Sequence, residues 1–168
     1  PAVFMGHYKI APKQFALLYG ITTIGAMAGN YLNGILVKKI HYQKMMMIGS
    51  VCLLVLTVVF GAAAYLINDF PVEMLIVALF LILLSVGLIY PNTVTSALSP
   101  FRELSGSASA MNGSLMMGMS ALLTAVVGAF GSAAPITMFA IMTVVSLLVV
   151  VFLQIAKRFG QPINDKNG

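Results

Sequence analysis

Residues 85–120 read SVGLIYPNTVTSALSPFRELSGSASAMNGSLMMGMS, and they hold two apolar segments joined by a short polar loop. The loop contains Arg102 and Glu103. Gly87 and Pro91 interrupt the first segment, whereas the second is rich in small residues. Because proline withholds a hydrogen bond from the carbonyl four residues earlier, the first segment is predicted to bend. The loop is therefore expected to lie in water between two membrane spans, and the rest of the chain repeats the pattern of its flanks.

The composition of the 168-residue chain is typical of a membrane protein. Hydrophobic residues make up 60% of it, charged residues 8%, and the mean hydropathy is +1.02. A soluble domain carries about a quarter charged residues, so this chain has too few to cover a water-exposed surface. Its apolar runs match the ~20 helical residues that cross a bilayer, and none alternates as a membrane strand would. The sequence predicts an all-α membrane protein.

Five membrane-spanning helices are predicted, and residues 1–168 are assigned to one domain. Lys38 and Lys39 close the first span, and Lys157 and Arg158 close the fifth. Because the chain begins at Pro1 inside an apolar stretch, it is expected to be a fragment or one half of something larger. The predicted spans are residues 15–37, 45–67, 74–98, 107–130 and 136–156.

Basic residues fall mostly on one side of this predicted topology. Cytoplasmic loops of membrane proteins carry an excess of Lys and Arg, so that side and the C-terminus are predicted to be cytoplasmic. The net charge of +5 fits this anchoring role better than binding to nucleic acid. One side holds Lys38, Lys39, Lys44, Arg102, Lys157 and Arg158, whereas the other holds Lys9 and Lys13 beside Asp69 and Glu73.

The residues of enzymatic chemistry are missing from the sequence pattern. None of the five predicted spans contains Asp, Glu, Lys, Arg or His, the usual markers of proton relays and ion pathways in membranes. His7 and His41 lie in loops on opposite sides, and Cys52 is the single cysteine. Paired carboxylates, a metal-ligand cluster or a nucleophile with its base cannot be assembled from them. The sequence predicts no enzyme, no metal site and no cofactor.

Small residues recur on one face of two predicted helices. Small side chains let membrane helices approach closely, so these residues are predicted to be helix-packing positions. They are Gly25 and Gly29 in the first span, and Ser114, Gly118 and Ala121 in a longer series in the fourth.

Neutral polar residues within the spans are candidates for the wall of a substrate cavity. An amide that faces lipid is costly, so such residues should face other helices or a watery cavity. Hydrogen bonds between amide side chains of neighbouring helices are equally common, so the sequence leaves both alternatives open. The candidates are Thr23, Asn30, Tyr90, Asn92, Asn112 and Met116.

Three segments together resemble the second half of the major facilitator superfamily, and within it the Bcr/CflA-type drug:proton antiporters. They are HYKIAPKQFALLYGITTIGAMAGNYLNGILVKK at residues 7–39, GLIYPNTVTSALSPF at 87–101 and SGSASAMNGSL at 105–115. The resemblance covers essentially the whole chain and implies helices eight to twelve of a twelve-helix transporter. Residues 33–49 resemble the superfamily's cytoplasmic loop motif, with Lys38 where that motif often has Asp and His41 where it often has Gly.

The resemblance implies a proton-driven antiporter of the bacterial inner membrane. Its substrate would be a small hydrophobic or amphipathic molecule, either a drug or a metabolite. Its partners would be the lipid bilayer and the N-terminal half of the transporter, which would carry the coupling carboxylates. The alternative is a non-transporting membrane interaction or assembly subunit, or an inactive truncated product.

Overall fold

The structure, a computed structural model, describes residues 3–4, 8–67, 69–129 and 134–159. Five long helices account for most of them: α1 (Pro12–Leu36), α2 (Tyr42–Leu66), α3 (Val72–Leu98), α4 (Ser105–Ala129) and α5 (Pro135–Phe159). All five are long and apolar enough to cross a membrane, which confirms the predicted all-α fold with five spans. His7, and residue 130 at the end of the fourth predicted span, lie outside the described residues.

Each helix begins one to three residues before the predicted span. The added first turns hold polar residues such as Lys13, Lys44 and Glu73, which hydropathy excludes from an apolar run although they continue the helix. Proline starts α1 and α5, at Pro12 and Pro135. Proline suits that first position because the N–H it lacks would have no partner within the helix.

The connection between α3 and α4 is more regular than the predicted polar loop. It forms a 3-10 helix, Ser99–Leu104, with Pro100 in its first turn. Phe101 has φ −110° and ψ 35°, outside the helical region, and this separates α3 from α4. Short 3-10 segments are common connectors because their i→i+3 hydrogen bonds turn the chain tightly. α3 itself continues through Pro91 to Leu98.

α3 is the central helix of the bundle. α1 and α2 both pack on it, and α5 packs on α2. α4 contacts mainly the end of α3 and the 3-10 helix, and none of its membrane-spanning part is buried among the described residues. The packing order is therefore α1, α3, α2 and α5, with α4 to one side.

A hydrophobic core gathers at the end where the chain enters α1. The Phe139 ring near the start of α5 is fully buried and meets the Phe70 ring edge-on at 5.9 Å. Tyr8 Oη donates a hydrogen bond of 2.5 Å to the backbone oxygen of Phe70. The starts of α1 and α5 therefore lie beside the α2–α3 connection. The buried core residues are Phe4, Phe70, Leu75, Ala78, Ile82 and Phe139.

The opposite end of the bundle carries most of the lysines, and we call it the basic end. Asn33 and Asn92, near the last residues of α1 and α3, are hydrogen-bonded to each other there. Because α5 starts at the other end, its C-terminal turn also reaches the basic end. The lysines of this end are Lys38, Lys39, Lys44 and Lys157, all exposed.

Candidate functional site

Asparagines on three helices lie in the half of the bundle nearer the basic end. Asn30 precedes the last residue of α1 by six positions, and Asn92 precedes the last residue of α3 by six. Asn112 follows the first residue of α4 by seven. At about 1.5 Å per residue, each lies about 10 Å inside its helix end. These residues place neutral amides within the membrane-spanning part of three helices.

A buried pair of asparagine side chains joins α1 to α3. Nδ2 of Asn92 donates to Oδ1 of Asn33 at 2.5 Å and to the backbone oxygen of Leu88 at 2.7 Å. Asn92 is 3% exposed and Asn33 is 6% exposed. Asn92 was a cavity candidate, but in this structure it packs between helices. Its NH₂ group donates to two acceptors. Of the two alternatives left open by the sequence, a cavity wall or a hydrogen bond between helices, Asn92 takes the second here.

Glycines allow the backbones of α1 and α3 to touch beside this pair. A Cβ on Gly25 would collide with the backbone oxygen of Phe80, and one on Gly29 with that of Leu84. From the other helix, a Cβ on Gly87 would lie 2.5 Å from a backbone oxygen of α1. The predicted packing residues Gly25 and Gly29 thus meet α3, and Gly87 completes the crossing. The sequence marked Gly87 only as an interruption, because its apolar neighbours conceal which face it occupies.

Three further cavity candidates remain on the uncovered surface of α1 and α3. Thr23 and Asn30 are exposed, and Tyr90 is 50% exposed. The Thr23 hydroxyl donates to the backbone oxygen of Tyr19 at 2.8 Å, as hydroxyls in membrane helices commonly do. The backbone nitrogen of Asn30 lies 2.8 Å from where a Cβ on Gly87 would be, so Asn30 adjoins the crossing of α1 and α3.

The candidates on α4 form a separate group. Nδ2 of Asn112 contacts Sδ of Met116 at 3.6 Å, and Met116 is 40% exposed. A thioether sulfur is a weak acceptor, so this contact satisfies the amide poorly. No hydrogen bond among the described residues joins Asn112 to the candidates on α1 and α3.

The small-residue series of α4 differs from expectation. Ser114, Gly118 and Ala121 are exposed, and no described atom lies within 4 Å of a Cβ built on Gly118. Ser114 instead donates to the backbone oxygen of Ala110 at 2.9 Å. The expected close approach to a neighbouring helix is absent because α1, α2 and α5 pack elsewhere. Within the described chain this face has no partner.

Two polar contacts between helices could not be predicted from the sequence. The hydroxyls of Thr57 and Ser146 lie 3.1 Å apart and link α2 to α5. The Thr93 hydroxyl lies 3.6 Å from Sδ of Met46 and links α3 to α2. Single hydroxyls in apolar helices can bond to their own backbone, so the sequence carries no signal that identifies such partners.

The charged residues of the described helices lie in first or last turns. The middle turns therefore offer hydrogen bonds and apolar contacts but no Asp, Glu, Lys, Arg or His to carry a proton. In the described ranges, no group of three His, Cys, Asp or Glu residues is placed to hold a metal ion.

Comparison with known proteins agrees on a transporter family. The family model of the Major Facilitator Superfamily matches residues 1–166. An uncharacterized MFS-type transporter of Bacillus subtilis, YdgK, is 26% identical over 135 residues, which is 76% of this chain and 31% of that protein. An uncharacterized transporter of Rickettsia bellii is 26% identical over 132 residues, or 74% of this chain and 33% of that protein. The chain spans about a third of the length of these relatives, and no solved structure matches it significantly.

Proposed function

Because the chain belongs to the major facilitator superfamily, we propose that it forms part of the cavity wall of a secondary transporter. The transporter would export a small hydrophobic or amphipathic molecule, a drug or a metabolite, as protons enter the cell. The observation that carries this proposal is the exposure of α4 within the chain. None of its membrane-spanning part is buried in the chain, yet it holds the poorly satisfied amide of Asn112.

An amide within a bilayer requires a polar partner, because hydrocarbon supplies none. A water-filled cavity between two halves of a transporter meets that requirement. Transporters of this kind rock two halves about a central binding site near the middle of the membrane. We therefore assign Asn112 to the cavity surface, together with the uncovered side chains of Thr23, Asn30 and Tyr90.

The proposed substrate class follows from the chemistry of this surface. Met116 lies next to Asn112 and is partly exposed. A flexible, polarisable methionine beside an amide suits ligands that are mostly apolar with a few polar atoms. The middle turns of the described helices hold no charged residues, so they offer a substrate no ionic partner.

Proton coupling is assigned to the N-terminal half of the transporter. A group that carries protons must titrate at membrane depth, and Asp, Glu and His are the usual choices. In the described helices, such residues occur only near the ends. This chain would then contribute to substrate binding and to the relative movement of the two halves. The N-terminal half would contribute the carboxylate that carries the proton.

The test is an efflux assay in a drug-sensitive bacterium. The chain is expressed alone, joined to helices one to seven of a matching transporter, and in the same joined form with Asn112→Leu. We expect resistance only from the joined forms, with Asn112→Leu changing which compounds are exported while membrane insertion persists. Met117→Leu is the matched control, because Met117 is 79% exposed on the same helix and is not a cavity candidate.

Two outcomes would overturn the proposal. Resistance from the chain alone would show that no partner half is required. A joined protein that inserts but exports nothing would favour the alternative of a non-transporting assembly subunit.

We also propose that the basic end and the C-terminus are cytoplasmic, in a bacterial inner membrane. The support is the excess of lysines at the basic end, which holds Lys38, Lys39, Lys44 and Lys157, over the opposite end, which holds Lys9 and Lys13. In a Cys52→Ser background, cysteines at Lys44 and Asp69 should react with an impermeant reagent from opposite sides. Reaction of Lys44→Cys from the periplasm would reverse the orientation.

A further inference from the structure

The connection between α1 and α2 carries a cluster of lysines without an acidic neighbour in the segment. Lys38, Lys39 and Lys44 fall within seven residues and are all exposed. Residues 37–44 contain no Asp or Glu. We call these three residues the lysine platform.

The backbone under the lysine platform is held in a defined shape. The N–H groups of Lys39 and Ile40 donate to the backbone oxygen of Leu36 at 2.9 Å and 2.8 Å. His41 then caps α2, with its Nδ1 accepting from the N–H of Gln43 at 3.4 Å. The N–H of Lys44 donates to the backbone oxygen of His41 at 2.9 Å. The backbone of the three lysines thus belongs to a closed turn and to the first turn of α2.

Two adjacent residues of α3 fix both sides of this connection. Asn92 bonds Asn33, four residues before Val37. Thr93 contacts Met46, two residues after Lys44, and Met46 is only 7% exposed. One turn of α3 therefore ties together the end of α1 and the start of α2, which limits the positions that the lysines can adopt.

We propose that the lysine platform binds the headgroup of an anionic phospholipid from the surrounding bilayer. Charge complementarity supports this partner, because lysines at a membrane surface attract anionic lipids. The neighbouring apolar surface supports a lipid over a soluble anion. Ile35, one turn before Lys38, is 45% exposed, and Ile48, one turn after Lys44, is 47% exposed. Acyl chains can lie along these side chains while the headgroup contacts the ammonium groups. This inference does not depend on the proposed transport activity.

The test measures lipid binding by the full chain in non-ionic detergent. Phosphatidylglycerol and phosphatidylcholine with identical acyl chains are titrated separately, and bound lipid is counted by native mass spectrometry. We expect preferential binding of phosphatidylglycerol. The variant K38Q/K39Q/K44Q should bind it on the order of 100-fold more weakly, at about five-fold per lysine. Binding to the wild-type chain should also weaken as salt rises.

Two control variants separate charge from structure. K38R/K39R/K44R keeps the charges and should bind as the wild type does. K9Q/K13Q removes two lysines from the opposite end and should leave binding unchanged.

Three results would overturn the proposal. The first is a glutamine triple variant that retains binding within about two-fold. The second is equal binding of both lipids to the wild-type chain. The third is displacement of the lipid by an equal concentration of soluble glycerol phosphate, which would show that a bilayer lipid is not the preferred source of the anion.

Discussion

Asn33 and Asn92 share a hydrogen bond of 2.5 Å at a point where α1 and α3 are close enough for glycine backbones to touch. Both side chains are buried. The pair therefore contributes to helix association by satisfying two polar groups that are buried between the helices. Hydrogen bonds between membrane helices average about 0.6 kcal/mol, with a maximum of about 1.7 kcal/mol.

A double-mutant cycle on this pair should detect that coupling. Asn33→Ala and Asn92→Ala should each destabilise the chain, and their combined effect should fall short of the sum by about 0.5–1.7 kcal/mol. The measurement is unfolding in mixed micelles of increasing denaturing detergent. Asn30→Ala serves as the control because Asn30 is exposed on the same helix. Full additivity of the two substitutions would refute the contact.

Two glycines of α1 should respond in opposite directions to the same substitution. A Cβ on Gly29 would collide with the backbone oxygen of Leu84, whereas one on Gly20 would have open space around it. Gly29→Ala should therefore destabilise the chain by about 1–3 kcal/mol. Gly20→Ala should be neutral or stabilise it by up to about 1 kcal/mol, since alanine is the better helix former. Equal effects would mean that α1 does not cross α3 at Gly29.

The effect of a substitution at Gly118 on stability should depend on the rest of the transporter. In the chain alone, Gly118→Leu should leave stability almost unchanged, because no described atom lies within 4 Å of its Cβ position. In the form joined to helices one to seven of a transporter, the same substitution should lower thermal stability if another helix covers this face. Thermal unfolding of both forms, with Leu at the exposed Val144 as the reference, measures the difference. Tolerance in both forms would assign the face to lipid.

Tyr8 should make stability depend on pH in the alkaline range. Burial, with a further contribution from Glu73, raises the pKa of Tyr8 above its ordinary value of 10.0. The folded chain therefore favours the neutral phenol, which donates to Phe70. This contribution is complete below about pH 10 and is lost as the pH rises through the raised pKa.

Tyr8→Phe should lower stability by about 0.5–1.5 kcal/mol at neutral pH. The difference from the wild type should shrink above about pH 10. Unfolding measured across that range tests both statements, and Tyr31→Phe is the control because Tyr31 is 72% exposed. A difference that persists unchanged at high pH would contradict the role of the Tyr8 proton.

The spans and the candidate site differed in how far the sequence could predict them. The five helices lie over the predicted spans because hydropathy and length are local properties. The prediction left out their first turns and the last turn of α5, which holds Lys157. The approach of Gly25 and Gly29 to α3 follows the small-residue pattern expected for close packing. The same kind of pattern on α4 has no partner in the described chain. Spacing defines a helix face, but it does not define what lies opposite that face.

What the sequence by itself determined is the class of the protein and the arrangement of its charges. A bilayer requires about 20 apolar residues in each helix, and that requirement is met within each segment. Only the tertiary structure decided that Asn92 bonds Asn33 while Asn30 stays exposed, and that Gly87 meets α1. Asparagines three residues apart lie on nearly the same face of a helix. Which of them meets a partner depends on the crossing of α1 and α3, and that crossing is a property of two segments more than fifty residues apart.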